Sequence, residues 1–115
     1  MPEPAEFLEA YGFTEGSKFG PMTLISASAT HTQVKRWKEY SYHITLTLQM
    51  SSRSQGDEAY HEAFDAVARV SKQEYSVKAT RNYYSCEIDP PQYGNVEIDD
   101  SRGTMTMHLT GHASR

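Results

Sequence analysis

Apolar and polar side chains alternate most regularly between Tyr40 and Met50. Tyr, Ile, Leu and Met fill the even positions of this segment, and Ser, His, Thr and Gln fill the odd positions. Because successive side chains of a strand point to opposite faces of a sheet, this period of two predicts a half-buried strand. Residues 22–32, rich in β-branched and small residues, predict a preceding strand, and residues 33–38 predict the polar or basic tip of a long hairpin.

Two helices are predicted by different signals. The first begins at Pro4, whose fixed φ suits a first helical turn, and stops at Gly12. The second begins in residues 54–58, where Ser54 or Asp57 is the candidate N-cap. Beyond this start, apolar residues recur at helical spacing for about four turns and predict an amphipathic helix that covers a sheet. They are Tyr60, Ala63, Phe64, Val67 and Val70.

The C-terminal third predicts further strands. Residues 75–79 alternate in one phase and residues 84–88 in the opposite phase, so we expect a bulge or break near Arg81 and Asn82. Residues 89–95 form a turn-rich loop, and a terminal hairpin follows it. Its apolar positions are Val96, Ile98, Met105, Met107 and Leu109.

These patterns predict a single α+β domain over residues 1–115, in the order α-β-β-α-β-β-β. We expect an antiparallel or mixed sheet with one long hairpin, packed against the central amphipathic helix and the short N-terminal helix. A chain of 115 residues is too short for a two-domain enzyme.

Composition narrows the function classes. The 11 Lys+Arg against 15 Asp+Glu give a net charge of -4, which disfavours nucleic acid as a primary ligand. No apolar run of about 18 residues and no secretory leader pattern are found, so we expect no membrane partner. The eight Tyr, five Met and one Trp are residue types enriched at subunit contacts, and they predict self-association.

A tripeptide, His-aliphatic-Thr, occurs twice, at His43-Ile44-Thr45 and His108-Leu109-Thr110. In each copy the His and the Thr share the polar face of a strand. The pair resembles the motif of the 2H phosphoesterase family. That resemblance implies two imidazoles acting as general acid and base on a phosphodiester while the hydroxyls bind phosphate. The simpler interpretation, which we favour, is that these residues occupy solvated strand positions.

Cofactor and metal chemistry have less support, and we expect neither. His108 and His112 are four residues apart, a spacing that converges two ligands on a helix but not on a strand. The single cysteine, Cys86, alternates with apolar neighbours and is expected to be a small buried hydrophobe. The glycine-rich patterns that cradle nucleotides are missing from the sequence.

The linear order of elements resembles the tail-terminator, or tail-completion, proteins of long-tailed bacteriophages. The resemblance spans about residues 1–112 and begins with the short N-terminal helix. The features that follow are a strand opening at residues 21–24, a polar hairpin, aromatic residues at Trp37 and Tyr40, the alternating strand at residues 43–48, a helix from Asp57 and returning strands that end in residues 105–109.

This resemblance implies a non-enzymatic virion protein, present in the bacterial cytoplasm during assembly. It implies a homo-oligomeric ring of about six subunits at the end of the tail tube, which stops tube growth and receives the head. Its partners would be copies of itself and other structural proteins, met through residues 33–36 and 90–95. The expected interface anchors are Trp37, Tyr40, Tyr83 and Tyr84.

A second non-enzymatic class is open. A small acidic inhibitor, such as an anti-defence or immunity protein, would bind one protein partner through an acidic edge, and salt would weaken that binding. The acidic positions concentrated in the final third of the chain are Glu87, Asp89, Glu97, Asp99 and Asp100. Arg36-Trp37-Lys38 and residues 81–84 interleave cations with aromatic rings, which is typical of cross-strand pairs or protein contacts more often than of nucleobase stacking.

Overall fold

A computed structural model describes residues 2–33, 39–52 and 56–115. Within these ranges the predicted α+β class is confirmed, with a short N-terminal helix and a central helix beside an antiparallel sheet. In chain order the elements are α1 (Pro4–Ala10), β1 (Lys18–Phe19), β2 (Met22–Gln33), β3 (Glu39–Met50), α2 (Glu58–Ser71), β4 (Tyr75–Ala79), β5 (Asn82–Ile88), a 3₁₀ turn (Tyr93–Asn95), β6 (Val96–Asp99) and β7 (Thr104–Ser114).

The strands form one sheet in the order β1-β2-β3-β7-β5-β4, with β6 also paired to β7. The hairpin of β2 and β3 is confirmed, because Gln33 lies opposite Tyr40 and the pairing continues to Met22 and Met50. The predicted hairpin tip lies largely outside the described residues, as does the candidate cap Ser54. The second edge of β7 is shared, since β6 pairs with its first half and β5 with its last residues.

The order of strands differs from the predicted order in two places. The first is β1, whose two residues are too few to give a periodic signal. The second difference is the expected break near Arg81, which is a hairpin turn between two separate strands, β4 and β5. Thr80 lies in this turn with a φ of 60°. Because Ala79 is paired with Asn82, buried odd positions in β4 face buried even positions in β5, which explains the inverted phase.

Both helices cover the same face of the sheet. From β3 the even residues Tyr42 to Leu48 enter the core, and from β7 the odd residues Met105 to Ala113 do so. The predicted apolar stripe of α2 is also in this core, with Val70 only partly buried. No helix in the described ranges combines the length and apolar character needed to cross a bilayer.

The N-terminal helix is positioned by local hydrogen bonds and by one aromatic contact. The carboxylate of Glu6 accepts a hydrogen bond from the Glu3 backbone N–H at 3.0 Å, which satisfies a donor at the start of α1. Phe7 is fully buried, and its ring stacks on Tyr42 with centroids 4.4 Å apart. The Tyr42 hydroxyl donates to the Pro2 carbonyl at 2.6 Å. The beginning of the chain is therefore tied to the centre of β3.

Gly111 on β7 makes room for this contact. A Cβ added to Gly111 would lie 2.7 Å from Cζ of Phe7 and 3.3 Å from the Glu87 carbonyl oxygen. Such distances are well inside van der Waals contact, so any side chain at this position would push the ring of Phe7 off Tyr42. The sheet therefore needs glycine here for close packing rather than for backbone freedom.

We predict that Gly111→Ala lowers the free energy of unfolding by about 1–3 kcal/mol, because the buried ring of Phe7 must move. Gly94→Ala is the matched control, since an added Cβ there meets no atom within 4 Å. Urea denaturation of both variants measures the difference. A second substitution, Phe7→Leu, should recover part of the loss in the Gly111→Ala background. Equal stability of the two alanine variants would contradict the contact.

Candidate functional site

The sheet face opposite the helices consists largely of hydroxyl, amide and imidazole side chains. Because β3 buries its even positions and β7 its odd positions, the remaining side chains of both strands share this uncovered face. They are Ser41, His43, Thr45, Thr47, Gln49, Thr104, Thr106, His108, Thr110, His112 and Ser114. This polar face offers many hydrogen-bonding groups and little apolar area.

The two His-aliphatic-Thr segments lie side by side on the polar face. His43 is directly opposite Thr110, and Thr45 is directly opposite His108, because β3 and β7 run antiparallel. The two histidines are therefore diagonal neighbours, which places their Cα atoms roughly 7–8 Å apart and their Cβ atoms slightly closer. The structure thus brings together all four residues of the predicted catalytic set.

The ring of His108 is oriented away from His43. Its Nδ1 lies 3.5 Å from Oγ1 of Thr45, and its Nε2 lies 3.8 Å from Oε1 of Glu97. Glu97 lies on β6, which pairs with the edge of β7 opposite to β3. The Nε2 atom of His108 therefore faces away from the strand that carries His43. Both histidines are exposed, and the imidazole of His108 lies between a hydroxyl and a carboxylate.

A small cavity adjoins one of the two segments. Its volume is about 240 Å³, and it is lined by His108, Thr110 and the loop that follows β5. Among the described residues its lining includes neither His43 nor Thr45. A ligand shared by both histidines would consequently sit on the open sheet face rather than in this cavity. In addition, Asp89 approaches Nε2 of the nearby His112 at 3.3 Å, so carboxylates flank both His108 and His112.

A larger groove lies at the other side of the sheet, between α2 and β6. Its volume is about 350 Å³. The floor and one wall are apolar, because Phe64 and Tyr93 stack with ring centroids 4.2 Å apart. Along the groove lie Asp57, Tyr60, His61, Phe64, Tyr93, Val96, Ile98, Asp100 and Met105.

Two carboxylates mark the rim of this groove. The Tyr60 hydroxyl donates to Oδ1 of Asp100 at 3.1 Å. Desolvation, and then this hydrogen bond, raise the pKa of Tyr60, so the hydroxyl keeps its proton and orients the carboxylate. Asp57 occupies the N-cap position of α2 but makes no capping hydrogen bond with its side chain. The groove therefore combines aromatic walls with oriented negative charge.

The predicted interface anchors lie in different environments. Tyr83 is 65% exposed and pairs across the β4–β5 hairpin with Lys78, whose ammonium is 5.8 Å from the ring centroid. Tyr84 is only 4% exposed, so its ring belongs to the core rather than to a surface. Tyr40 is half-buried, and its ring contacts that of Tyr84 edge-on at 6.0 Å. Trp37 lies outside the described residues.

The predicted acidic edge is divided between the two faces. Asp89 and Glu97 are next to imidazoles on the polar face, as described above. Asp99 lies in the β6–β7 turn, where a hydrogen bond from the Ser101 hydroxyl lowers its pKa, and Arg102 is 3.8 Å away. Asp100 belongs to the groove. Each of these four carboxylates therefore has a local partner.

Cys86 is completely buried in the core, as predicted. Burial raises the pKa of its thiol to about 11. In the described part of the chain, no group of three or more His, Cys, Asp or Glu side chains is arranged to hold a metal ion.

No sequence pattern predicts the groove. The helical spacing of Tyr60 and Phe64 predicts that both belong to the core, and both are buried. The groove depends on Tyr93, which lies in a turn-rich loop, and on Ile98, which is half exposed at the edge of the sheet. An apolar ring within a Pro/Gly loop is the one sequence signal that could have drawn attention to it.

Comparison with known proteins finds no family model that matches the chain, and no significantly similar curated protein or solved structure.

We predict that Cys86 does not react with iodoacetamide at about pH 8 in the native protein, because the thiol is buried and protonated. In a denaturant the same residue should be alkylated at the rate of a free cysteine. Mass spectrometry of intact protein after timed labelling measures both rates. Rapid native labelling would show that the core opens around β5.

Proposed function

We propose that the chain is a structural assembly protein that forms a ring from copies of itself, in the manner of the tail-terminator proteins that its sequence resembles. The distribution of its exposed apolar side chains carries this proposal. The large hydrophobic residues exposed in the described ranges are Ile25, Tyr83, Tyr93 and Ile98, each between 42% and 65% exposed. They are grouped at the two ends of the sheet.

Three of these residues lie at one end. Ile98 is paired with Met105 near the start of β7, and Tyr93 lines the same groove. Ile25 forms a bulge in β2 at the corresponding level of the sheet. Tyr83 lies at the opposite end, in the β4–β5 hairpin, beyond the end of β7.

This arrangement favours contacts between ends of neighbouring subunits. Exposed apolar residues that are clustered, rather than scattered, are typical of interaction surfaces. Aromatic side chains add large contact area with a polar tip. A contact between two different ends of the same chain is heterologous, and heterologous contacts close into rings when the rotation between subunits permits.

On this proposal the protein is a virion component that assembles in the bacterial cytoplasm. The ring ends tail-tube growth and receives the head through other structural proteins. The loop at residues 90–95 is a candidate contact for those partners, because it projects beside the groove end of the sheet.

We predict that the purified protein elutes as an oligomer of about six times the 13.0 kDa chain mass. Light scattering coupled to size-exclusion chromatography, repeated over a dilution series, measures this mass. A protein that stays strictly monomeric at on the order of 50 µM would contradict the proposal.

A second candidate function is phosphodiester hydrolysis by His43 and His108. The observation that favours it is the direct opposition of the two His-aliphatic-Thr segments in the β3–β7 pairing. Two imidazoles on neighbouring strands can exchange roles as general acid and base if a phosphate lies between them. Thr45 and Thr110 would then supply hydroxyls to the phosphate oxygens.

This second function predicts that His43→Ala and His108→Ala each reduce hydrolysis of a 2′,3′-cyclic nucleotide by roughly 10²–10⁴-fold. His112→Ala is the matched control, because His112 lies on the same face of β7 outside the repeated segments. Circular dichroism checks that all three variants fold. Activity that is absent from the wild type, or unchanged in either variant, would eliminate this candidate.

A further inference from the structure

We infer that the groove between α2 and β6 is the docking site for the β4–β5 hairpin of a second copy of this chain. Subunits would then join head to tail. This inference rests on the proposed function, and it identifies the two surfaces through which the ring would close.

The groove provides an apolar floor with negative charge at its edge. Ile98 is half exposed beside the stacked rings of Phe64 and Tyr93, so the groove has apolar surface that an incoming side chain can cover. Asp57 and Asp100 supply the carboxylates. A side chain that combines an aromatic or aliphatic body with a positive charge matches such a groove.

The β4–β5 hairpin has the complementary chemistry. Tyr83 is its most exposed large side chain, and Lys78 lies over the Tyr83 ring. Arg81 is exposed in the turn itself, next to Thr80 with its positive φ. Two cations and one aromatic ring are thus presented together at the end of a short, paired hairpin, which is held in shape before it binds.

The hairpin cannot reach the groove of its own chain. Ser85 of β5 pairs with Ser114 at the end of β7, so the turn at Arg81 extends beyond that end. Met105 in the groove lies near the opposite end of β7. At the usual rise of a strand, the two features are separated by roughly 40 Å. The longest dimension of the molecule is 48 Å, so they occupy its two extremes.

Charge complementarity identifies a second copy as the occupant. At the groove end, Glu58 and Asp99 add to the two rim carboxylates, with Arg102 as a nearby cation. At the hairpin end, Lys78 and Arg81 lie beyond the end of β7, whereas Glu39, opposite Ser114, and Glu87, opposite His112, do not extend past that end. The rim of the groove is therefore acidic and the tip of the hairpin is basic, so the two surfaces attract each other.

A charge-reversal experiment tests the contact. Lys78→Glu with Arg81→Glu should weaken the ring, since the hairpin would then repel the groove. The protein concentration at which half of the chains are assembled should rise about tenfold or more. Asp57→Lys with Asp100→Lys should have the same effect. A chain carrying all four substitutions should assemble again, because its basic groove faces an acidic hairpin.

The matched control for the hairpin reversal is Arg69→Glu with Lys72→Glu, which changes the net charge by the same amount and sign at the last turn of α2, outside both surfaces. This control should keep the ring mass and the half-assembly concentration of the wild type. Circular dichroism confirms folding of each variant before its mass is measured.

Disulfide trapping provides a second test that does not depend on charge. Tyr83→Cys with Ile98→Cys should give a ladder of covalent multimers on oxidation. A bond within one chain is impossible, because bridged Cα atoms must lie within about 7 Å. Each single-cysteine variant should give only the single-chain band on a denaturing, non-reducing gel, and the buried Cys86 needs no replacement.

The outcomes separate this inference from the proposed function. A wild-type ring that resists both charge reversals and gives no ladder overturns the docking contact and leaves ring formation intact. A wild-type monomer overturns both. Loss of assembly in each reversed variant, recovery in the fourfold variant and a ladder only from the double-cysteine chain would establish the contact.

Discussion

The continuous pairing of β3 with β7 is the constraint on which the rest of the structure depends. Its register runs without interruption from Glu39 opposite Ser114 to Gln49 opposite Thr104. Because side chains alternate, a slip of one residue would turn the whole apolar set to solvent. The register that packs the apolar side chains also places His43 beside Thr110 on the other face. The side-by-side placement of the two His-aliphatic-Thr segments is thus a consequence of the register that packs the core.

A core with few aliphatic residues is closed by aromatic side chains whose polar ends are satisfied. The single hydroxyl proton of Tyr11 is shared between the carbonyls of Gln73 and Cys86, 2.8 and 3.0 Å from the oxygen, and the Tyr42 hydroxyl donates to Pro2. Desolvation is the main cause that raises the pKa of both tyrosines, so the neutral form is the one that packs. These bonds connect α1 to the sheet and to the start of β4. The small N-terminal helix is therefore an integral part of the core.

A long, regular hydrophobic period is enough to predict an element from the sequence. An element that forms only because it pairs with a neighbouring strand leaves no such period and is not predicted. The alternation of β3 and the stripe of α2 each contain enough repeats to exclude other structures. In contrast, β1 is two residues long and exists only because it pairs with Met22 and Thr23. β7 extends to Ser114, past Gly111, because glycine accommodates Phe7 from a distant helix. The groove was missed for the same reason, since Tyr93 meets Phe64 only after folding.

In the proposed assembly, copies could associate in two ways, through their polar faces or through unlike ends. Pairing of two polar faces would be isologous, with the same surface used by both copies. It would bring Glu97 and Asp89, which flank His108 and His112, toward the same residues of the other copy. That contact would bury hydroxyls and carboxylates with little apolar gain, which is costly unless every group finds a partner. Contact between unlike ends covers Tyr83 and Ile98 and brings opposite charges together. The proposed head-to-tail contact would therefore gain free energy both from burial of apolar surface and from attraction between opposite charges. The polar face would stay hydrated.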